Sequence, residues 1–394
     1  MSKNILIINA GSSSIKFKMF EFGSYHVIAS GLCERIFIDG HFELTYGKNQ
    51  KYSDNPKMPD HTSAITYTLQ KLKELKVIKN EKDIIGIGHR IVMGGDKYTS
   101  SVLIDAKAKA NIKDNIKLAP LHNEPELKVV EIFEKLLPYA KEVASFDTTF
   151  HTTIDPQHYV YPIDQKIAKQ HFIRRYGFHG NSYRYITQRM GELLKTKKPN
   201  LVVCHLGNGA SICAIKNGLS FNTSMGLTPL EGLMMGTRSG DVDPSLVIYL
   251  SRQGMSIPEI DNMLNKNSGL KAFVGSADMR DVFKKMQEHN QEATIAFNLY
   301  TDRVSDYIVR YINQMNIKID AIVFTAGVGE NSMFTVEAII KKINVIKLQI
   351  DQKHLNDSYQ DYKKISAKTS LYPIYCVRTD EELMIARDVS TFIK

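Results

Sequence analysis

Two arginines lie in glycine-rich segments, where their side chains could bind an anion. Arg90 lies in GHRIVMGG, and Arg238 lies in GLMMGTRSGD. A guanidinium can donate two parallel hydrogen bonds to a carboxylate or a phosphate, a geometry that a lysine cannot match. Each arginine taken alone is more often a surface residue or one half of an ion pair.

Asp147 and His179 are further candidates for chemistry. Asp147, in ASFDTTFH, ends an apolar segment that predicts a strand. In α/β folds this is a common place for a catalytic or metal-binding carboxylate, although a helix N-cap is an equal alternative. His179, in RRYGFHG, stands between an aromatic residue and a glycine, which predicts a reachable imidazole.

Three segments rich in small residues each follow a predicted strand and are predicted to be turns, at 9–14, 207–211 and 327–331. Small residues let backbone N–H groups approach an anion closely, so the three turns together favour a phosphate site. The chain contains neither GxxxxGK[ST] nor GxGxxG. A P-loop or a dinucleotide-binding fold therefore finds no support in the sequence, and an ATP site would have to be built in another way.

The elements that must position these residues occur twice. NILIINAGSSSIKFKMFEF predicts a strand, a tight turn and a second strand, in which Ile15, Phe17 and Met19 alternate with lysines. LVVCHLGNGASICAIKNGLSF repeats this pattern, with Ser211 at the place of Ser14 and the turn dipeptide Asn217-Gly218 at its end. The repeat predicts a duplicated fold.

The remaining periodicity predicts helices between these strands. Helical spacing relates Ile65, Leu69, Leu72 and Leu75, then Leu127, Val130, Phe133 and Leu137, and later Leu299, Val304, Ile308, Tyr311 and Met315. DAIVFTAG predicts another strand, EELMIARDV a final helix, and the polar segments 45–60 and 356–369 surface loops. Strands and helices in two similar halves predict an α/β protein with a cleft between two lobes.

Composition limits the class of protein. A chain of 394 residues predicts two domains, and a formal net charge of +9 favours anionic partners. No run of lysine and arginine is dense enough to predict a nucleic-acid-binding arm. The four cysteines form no CxxC pair, and Cys204 and Cys213 lie in apolar segments, which predicts buried thiols in a reducing compartment. The apolar run at 5–8 is too short for a signal peptide or a membrane span, so a cytoplasmic protein is predicted.

Nine segments together resemble those of acetate kinases, in the order of that family and over nearly the whole chain. They are NAGSSSIKF, GHRIVMGG, APLHNEP, FDTTFH, RRYGFHG, HLGNGAS, GLTPLEGLMMGTRSGD, FTAGVGENS and RTDEEL. The resemblance implies the actin, hexokinase and sugar-kinase fold, with two duplicated ribonuclease H-like lobes and ATP in the cleft. It implies a first domain at 1–148 with 381–394, and a second, nucleotide-binding and dimerising domain at 149–380.

The resemblance also implies roles for single residues. Arg90 and Arg238 would bind the carboxylate of acetate and the phosphoryl group in transfer. Asp147 would be the active-site carboxylate, and His179 would stabilise the phosphoryl group. Asn9 and Glu381 would position Mg²⁺, with Mn²⁺ possible, although Glu382 is adjacent and the assignment could shift by one residue.

Two larger sets of residues follow from the same resemblance. The small apolar pocket for the methyl group would consist of Val92, Leu121, Phe178 and Pro229, with Arg90 at the carboxylate. The ATP site would consist of Lys16, His205, Leu206, Gly207, Asn208, Gly209, Asp278, Met279, Arg280, Gly327, Val328, Gly329, Glu330 and Asn331.

The implied reaction is reversible transfer of the γ-phosphoryl group of ATP to acetate, which gives acetyl phosphate and ADP. A carboxylate needs no general base, because its attacking oxygen is already ionised at pH 7. A homodimer with no nucleic-acid or membrane partner is expected. Three alternatives stay open: a propionate or butyrate kinase of the same family, an actin-like ATPase, and a basic nucleic-acid-binding protein suggested by net charge alone.

Overall fold

The computed structural model describes residues 3–393, except for the side chain of Leu121. Contacts divide this part of the chain into unit 1, at 3–150 with 380–393, and unit 2, at 151–379. Each unit contains a mixed sheet and helices. Within 3–393, no helix has the length and hydropathy needed to cross a membrane.

Unit 1 is built on a sheet in the order β5-β4-β3-β2-β1-β6-β8-β7. Its strands are β1 (Asn4–Ala10), β2 (Ile15–Glu21), β3 (Val27–Glu34), β4 (His41–Tyr46), β5 (Gln50–Asp54), β6 (Ile84–Ile91), β7 (Val102–Leu103) and β8 (Lys141–Phe146). Its helices are α1 (His61–Glu74), α2 (Ala106–Asp114), α3 (Pro120–Leu136) and the last helix, α14 (Glu381–Phe392). Strands β1, β6 and β8 are parallel, and the others pair antiparallel.

The two faces of strand β1 pack against different cores, because successive side chains of a strand point to opposite faces. Leu6 and Ile8 belong to the core that includes residues of α1 and α3. Ile5 and Ile7 belong to a second core with Ile385 of α14 and its neighbours. A strand covered on both faces reads as a continuous apolar run, as NILIINA does.

Helix α14 packs closely on β6 because that strand carries glycine where the helix crosses it. A Cβ atom on Gly88 would lie 2.5 Å from Cγ2 of Ile385, 2.8 Å from Cδ1 of Ile7 and 2.9 Å from Cγ2 of Val389. The first glycine of GHRIVMGG therefore has a packing role. It fixes the distance between Arg90 on β6 and the acidic first turn of α14.

Unit 2 is built on a sheet in the order β11-β10-β9-β12-β14-β13. Its strands are β9 (Leu201–Leu206), β10 (Ala210–Lys216), β11 (Leu219–Thr223), β12 (Ala321–Thr325), β13 (Tyr362–Lys364) and β14 (Ile374–Val377). Its helices are α4 (Pro156–Tyr159), α5 (Gln165–Gln170), α6 (Gly180–Leu193), α7 (Ser245–Arg252), α8 (Ile257–Lys266), α9 (Gly269–Val274), α10 (Met279–Gln287), α11 (Gln291–Met315), α12 (Ala326–Asn331) and α13 (Met333–Lys342).

The two sheets share one topology, which confirms the predicted duplication. In each, a central strand pairs antiparallel with its successor, as β1 with β2 and β9 with β10. On its other side the central strand pairs parallel with a later strand, β6 or β12. A further parallel strand and an antiparallel edge strand complete the order, β8 and β7 or β14 and β13. The predicted α/β class is also confirmed.

Several predictions of single elements were wrong. The segment 45–60 includes β5, whose residues are mostly exposed on both faces because it lies at the edge of the sheet, so no alternation was visible. The segment 327–331 is helical, within α12, and the carboxylate of Glu330 accepts the N–H of Ala326 at the start of that helix at 2.9 Å. The predicted loop 356–369 contains β13.

The predicted helices are present, with one error of register. Helix α11 buries Tyr300, Val304, Ile308 and Tyr311, whereas Leu299 is 37% exposed and lies off the buried face. All four cysteines are buried and free, as the apolar setting of Cys204 and Cys213 predicted. The hairpin at Asn217-Gly218 joins β10 to β11 with positive φ at both residues.

Candidate active site

The sheet of unit 1 brings three of the predicted residues to one edge. Asn9 stands near the end of β1, Arg90 near the end of β6, and Asp147 directly after β8. Because these strands are parallel, their carboxyl ends lie at the same edge of the sheet, the usual position of a ligand site in α/β folds.

Arg90 is the centre of this cluster. Its Nε and Nη2 donate to the two oxygens of Asp147 at 3.2 and 2.5 Å, and Nη1 donates to Oδ1 of Asn9 at 3.2 Å. The carboxylate of Glu381, at the start of α14, lies 3.9 Å from Nε. Burial by itself would lower the pKa of Arg90, but the charges of Asp147 and Glu381 outweigh it and raise that pKa. The guanidinium is therefore permanently charged and held in a fixed orientation.

The adjacent acids of α14 have different surroundings. Burial, Asp147 and Glu382 raise the pKa of Glu381 to about 7, although Arg90 and Lys16 act in the opposite direction. Glu382 contacts Lys16 at 2.8 Å and Lys18 at 3.7 Å, and these lysines hold its pKa at about 2 against the effect of burial. Glu381, and not Glu382, is thus the acid that faces Arg90. Lys16 itself is 60% exposed.

The donor set at this edge fits a magnesium ion. Within 3–393, no group of three histidine, cysteine, aspartate or glutamate side chains could hold a metal ion. Mg²⁺ at a nucleotide, however, needs only one or two protein oxygens, because water and phosphate oxygens supply the rest. The amide oxygen of Asn9 and the carboxylate of Glu381 are such oxygens. The raised pKa of Glu381 marks a place where a nearby cation would favour the ionised form.

His179 begins helix α6 in a left-handed backbone conformation, with φ of 58°. Its Nδ1 is 2.8 Å from Oγ of Ser211, which is 2.5 Å from the hydroxyl of Tyr183. Its ring stacks on that of His205, with centroids 4.1 Å apart, and Nδ1 of His205 is 2.9 Å from Oγ of Ser182. Both imidazoles are therefore fixed by ring contact and by serine hydroxyls.

Arg238 and His179 approach each other at the turn after β9. A Cβ atom on Gly209 would lie 3.4 Å from Nη1 of Arg238 and 3.6 Å from Nε2 of His179, both ordinary van der Waals distances, so both side chains lie close to this turn. Nη1 of Arg238 also donates to the carbonyl of Pro229 at 3.3 Å. A guanidinium and an imidazole close to one glycine turn can together bind an anion.

A cavity of about 1120 Å³ lies in unit 2. The predicted nucleotide residues that line it are Gly207, Asn208, Asp278, Met279, Arg280, Gly327, Val328, Glu330 and Asn331. His205, Leu206, Gly209 and Gly329 of the same set do not line it. Asp278 caps helix α10, accepting the N–H of Arg280 at 2.8 Å, and the guanidinium of Arg280 folds back onto its carboxylate.

The predicted residues of the methyl pocket lie in different units. Val92, in unit 1, is 4% exposed, and Phe178, in unit 2, is 2% exposed. Pro229, also in unit 2, is partly exposed. Leu121 belongs to helix α3, but its side chain is outside the described part of the structure.

The model of the acetokinase family matches residues 4–387 of this chain. The chain belongs to the acetokinase family. It is 51% identical over 387 residues to an acetate kinase of Mycoplasma pneumoniae, and the aligned region covers 98% of this chain and 97% of that protein. It is 50% identical over 397 residues to an acetate kinase of Mycoplasma genitalium, covering 100% and 99%.

Solved structures agree with this membership. A crystal structure of Porphyromonas gingivalis acetate kinase is 38% identical, covers all of both chains and has a TM-score of 0.93. A propionate kinase from Francisella tularensis is 37% identical, covers 99% of both chains and has a TM-score of 0.94.

Sequence reasoning missed the aromatic side of the cavity in this acetokinase. Phe283, Phe334 and Tyr359 line it, and the rings of Phe283 and Phe334 are 4.7 Å apart. Tyr359 donates its hydroxyl to the carbonyl of Glu330 at 2.9 Å. Phe283 stands on α10, which begins at Met279, and Phe334 stands on α13, which follows the segment 327–331, so helical spacing from these predicted nucleotide residues could have found both rings. Tyr359 lies in a segment without periodicity and gave no such signal.

Proposed function

We propose that this chain is an acetate kinase that transfers the γ-phosphoryl group of Mg-ATP reversibly to acetate. The observation that carries the proposal is the cluster of Arg90, Asn9, Asp147 and Glu381 at the carboxyl edge of the unit 1 sheet. In an acetokinase it combines a fixed guanidinium for an anion with oxygen ligands for a metal ion. The residue roles below are part of this proposal.

The protein acts in this scheme through position and charge. An oxygen of acetate attacks the γ-phosphorus, and the bond from that phosphorus to the bridging oxygen of ADP breaks. Arg90 and Arg238 bind the carboxylate and the equatorial phosphoryl oxygens. His179 donates a hydrogen bond from Nε2 to the phosphoryl group, since its Nδ1 is engaged by Ser211. Such positioning and charge stabilisation supply most of the catalysis in phosphoryl transfer.

Asn9 and Glu381 would hold Mg²⁺, or Mn²⁺, which neutralises charge on the phosphate oxygens of the nucleotide. Asp147 orients Arg90 through its two hydrogen bonds and also contributes negative charge near the metal ligands. It needs no role as a base, because acetate is ionised at neutral pH.

The unit 2 cavity is proposed to bind the adenosine and phosphates of ATP or ADP. Backbone N–H groups at Asn208 and Gly327 would donate to phosphate oxygens, as small-residue segments allow. Phe283 and Phe334 supply apolar surface for a base. Lys16, whose ammonium is exposed and paired with Glu382, is proposed to contact the nucleotide as well.

Propionate is a second candidate substrate, because the structure of the Francisella propionate kinase has as high a TM-score as that of the Porphyromonas acetate kinase. Val92, Leu121, Phe178 and Pro229 are proposed to enclose the alkyl group. One methylene in such a pocket changes discrimination by only about 1–3 kcal/mol. We therefore propose acetate as the faster substrate and propionate as a slower one.

A homodimer is also proposed. Helix α7 has five consecutive apolar residues, 246–250, yet none of its residues is buried, and Ile248 and Tyr249 are 55% and 60% exposed. A second copy that covers this face would remove that apolar surface from water. A cytoplasmic location is proposed because ATP is the substrate and the thiols are unpaired.

The test is ADP formation from Mg-ATP with acetate, propionate, butyrate or no acid, in the presence of hydroxylamine, which traps acyl phosphates as hydroxamates. Acid-dependent ADP release with equal hydroxamate, fastest with acetate, is expected. Release of ADP that does not depend on acid would instead identify an ATPase and would remove the substrate roles of Arg90, Arg238 and His179.

A further inference from the structure

Glu126, on helix α3, is a buried acid for which the proposed mechanism has no use. Glu126 is only 2% exposed. Oε2 accepts a hydrogen bond from the N–H of Val92 at 3.1 Å, whereas Oε1 is buried and has no hydrogen-bond partner within the described residues. A half-satisfied carboxyl in a core is costly, so its presence requires an explanation.

The loop that follows Arg90 is held by side chains. Val92 donates to Glu126, and Met93 exchanges two hydrogen bonds with the amide of Asn123, at 3.1 and 2.8 Å. The N–H of Gly94 donates to Oγ1 of Thr148 at 3.3 Å. Two of these side chains stand on α3, one turn apart. Helix α3 therefore determines where Val92 lies, two residues beyond Arg90.

The charges around Glu126 favour a neutral acid. Among the described residues, Arg90 on β6 and Asp147 after β8 are the charged groups that act on it. Arg90 is already paired with Asp147 and faces Glu381. Burial raises the pKa of Glu126 to about 8, and the negative charge of Asp147 also raises it. The hydrogen bond from the N–H of Val92 and the positive charge of Arg90 act in the opposite direction.

We propose that Glu126 is a positioning residue of the acid-binding site, held as a neutral carboxylic acid that fixes the loop 92–94 and thereby Val92. This inference rests on the proposed function and deepens it. The carbonyl oxygen of the neutral acid accepts the N–H of Val92. Ionisation places a further negative charge near Asp147 in the core, where it competes for the positive charge of Arg90 and thereby weakens binding of the acid substrate.

The experiment compares wild type with Glu126→Gln, Glu126→Leu and the control Glu124→Gln, an exposed acid on the same helix. The KM for acetate, the KM for Mg-ATP and kcat are measured from neutral pH to well above 8. In wild type and the control, the KM for acetate rises as pH passes about 8, while the KM for Mg-ATP stays constant. Glu126→Gln, whose amide oxygen can accept the same N–H, shows no such rise.

Glu126→Leu removes the acceptor at every pH. Loss of that hydrogen bond raises the KM for acetate on the order of tenfold already at neutral pH. If Glu126→Gln keeps the alkaline rise, or if a folded Glu126→Leu binds acetate as wild type does, the inference is wrong. If Glu126→Leu does not fold, the comparison of Glu126→Gln with wild type still decides.

Thermal unfolding separates this inference from the proposed function. Because the pKa of Glu126 is raised in the folded state, the protonated carboxyl stabilises the fold at low pH. This stabilisation is lost as the pH rises from the ordinary pKa of a glutamate through about 8. Wild type and Glu124→Gln therefore lose melting temperature over this range relative to Glu126→Gln. That difference without any acid-dependent hydroxamate would overturn the proposed function, and with it the role of Glu126 in acid binding, and would leave only the neutral state of Glu126. Hydroxamate formation without that difference would overturn the inference alone.

Discussion

At the scale of single residues, hydrogen bonds among the site residues themselves hold their side chains in fixed orientations. Arg90 is oriented by Asp147 and Asn9, and His179 is oriented by Ser211 and by stacking on His205. Groups that are already oriented lose little entropy when substrate binds, so their charge is available to the transition state.

Replacement of Arg90 by lysine should keep the charge and lose the forked geometry. Arg90→Lys is expected to lower kcat/KM for acetate by about 10³-fold, as expected for loss of an arginine at a transferring phosphoryl group. Arg35→Lys is the matched control, since Arg35 also binds a carboxylate, Asp39, with two nitrogens but lies on the surface. Steady-state kinetics of both variants check this. Equal activity of Arg90→Lys and wild type would show that the guanidinium does not contact substrate.

Ser211 and Tyr183 should act on catalysis through His179. Ser211→Ala and Tyr183→Phe are each expected to lower kcat by about tenfold, because the imidazole loses part of its orientation. Complete removal of a hydrogen-bond donor to the charge of a transition state costs about 10²–10³-fold. The KM for Mg-ATP should change little. Single-turnover kinetics would measure the chemical step directly. A variant that raised the KM for Mg-ATP and left kcat unchanged would show that the pair serves the nucleotide site.

The motifs of the sequence single out Arg90, Asn9 and His179, and the structure places them near two strand ends and at a helix start. Their roles in chemistry stay predictions. Glu126 and Tyr359 could not be predicted. Glu126 occupies an ordinary helix position, and only the packed core shows that one of its oxygens is unpartnered. Tyr359 reaches the cavity from a segment that has no periodicity.

At the scale of elements, the contact between β6 and α14 depends on the absence of a side chain at Gly88. Gly88→Ala is expected to destabilise the fold by about 1–3 kcal/mol, because the added methyl group overlaps Ile385, Ile7 and Val389. It should also raise the Mg²⁺ concentration needed for activity, since α14 carries Glu381. Urea unfolding and Mg²⁺ titration check both effects.

A double-mutant cycle gives the control for that contact. Ile385→Ala removes the atom nearest to the new methyl group, so the two changes together should cost less than the sum of each alone. Strict additivity would mean that the methyl group is accommodated elsewhere.

Elements were predicted well where burial imposes a period and poorly where it does not. Strand β1 and helices α1, α3 and α14 each have an apolar pattern that matches a core. Strand β5 is exposed on both faces, and α12 depends on the carboxylate of Glu330 and a left-handed Ala326, neither of which produces periodicity.

At the scale of the whole molecule, the exposed face of α7 should determine the oligomeric state. Ile248→Asp and Tyr249→Asp are each expected to convert a dimer into a monomer, because a charge within an apolar interface is left without a partner. Val345→Asp, at a residue that is 73% exposed elsewhere in unit 2, is the control. Light scattering after size-exclusion chromatography measures the mass. A dimer that persists in both α7 variants would place the interface on another surface.

The packing of α14 on β1 and β6 also has a consequence for synthesis of the protein. Ile5 and Gly88 are translated before residues 151–379, whereas Ile385 and Val389, which cover them, are translated after those residues. All of 151–379 leaves the ribosome before this face of the unit 1 sheet can be covered. Contacts between residues so far apart in sequence form slowly, and an uncovered apolar sheet face is prone to aggregation. Nascent chains of this kinase should therefore need protection by a chaperone until α14 has been made.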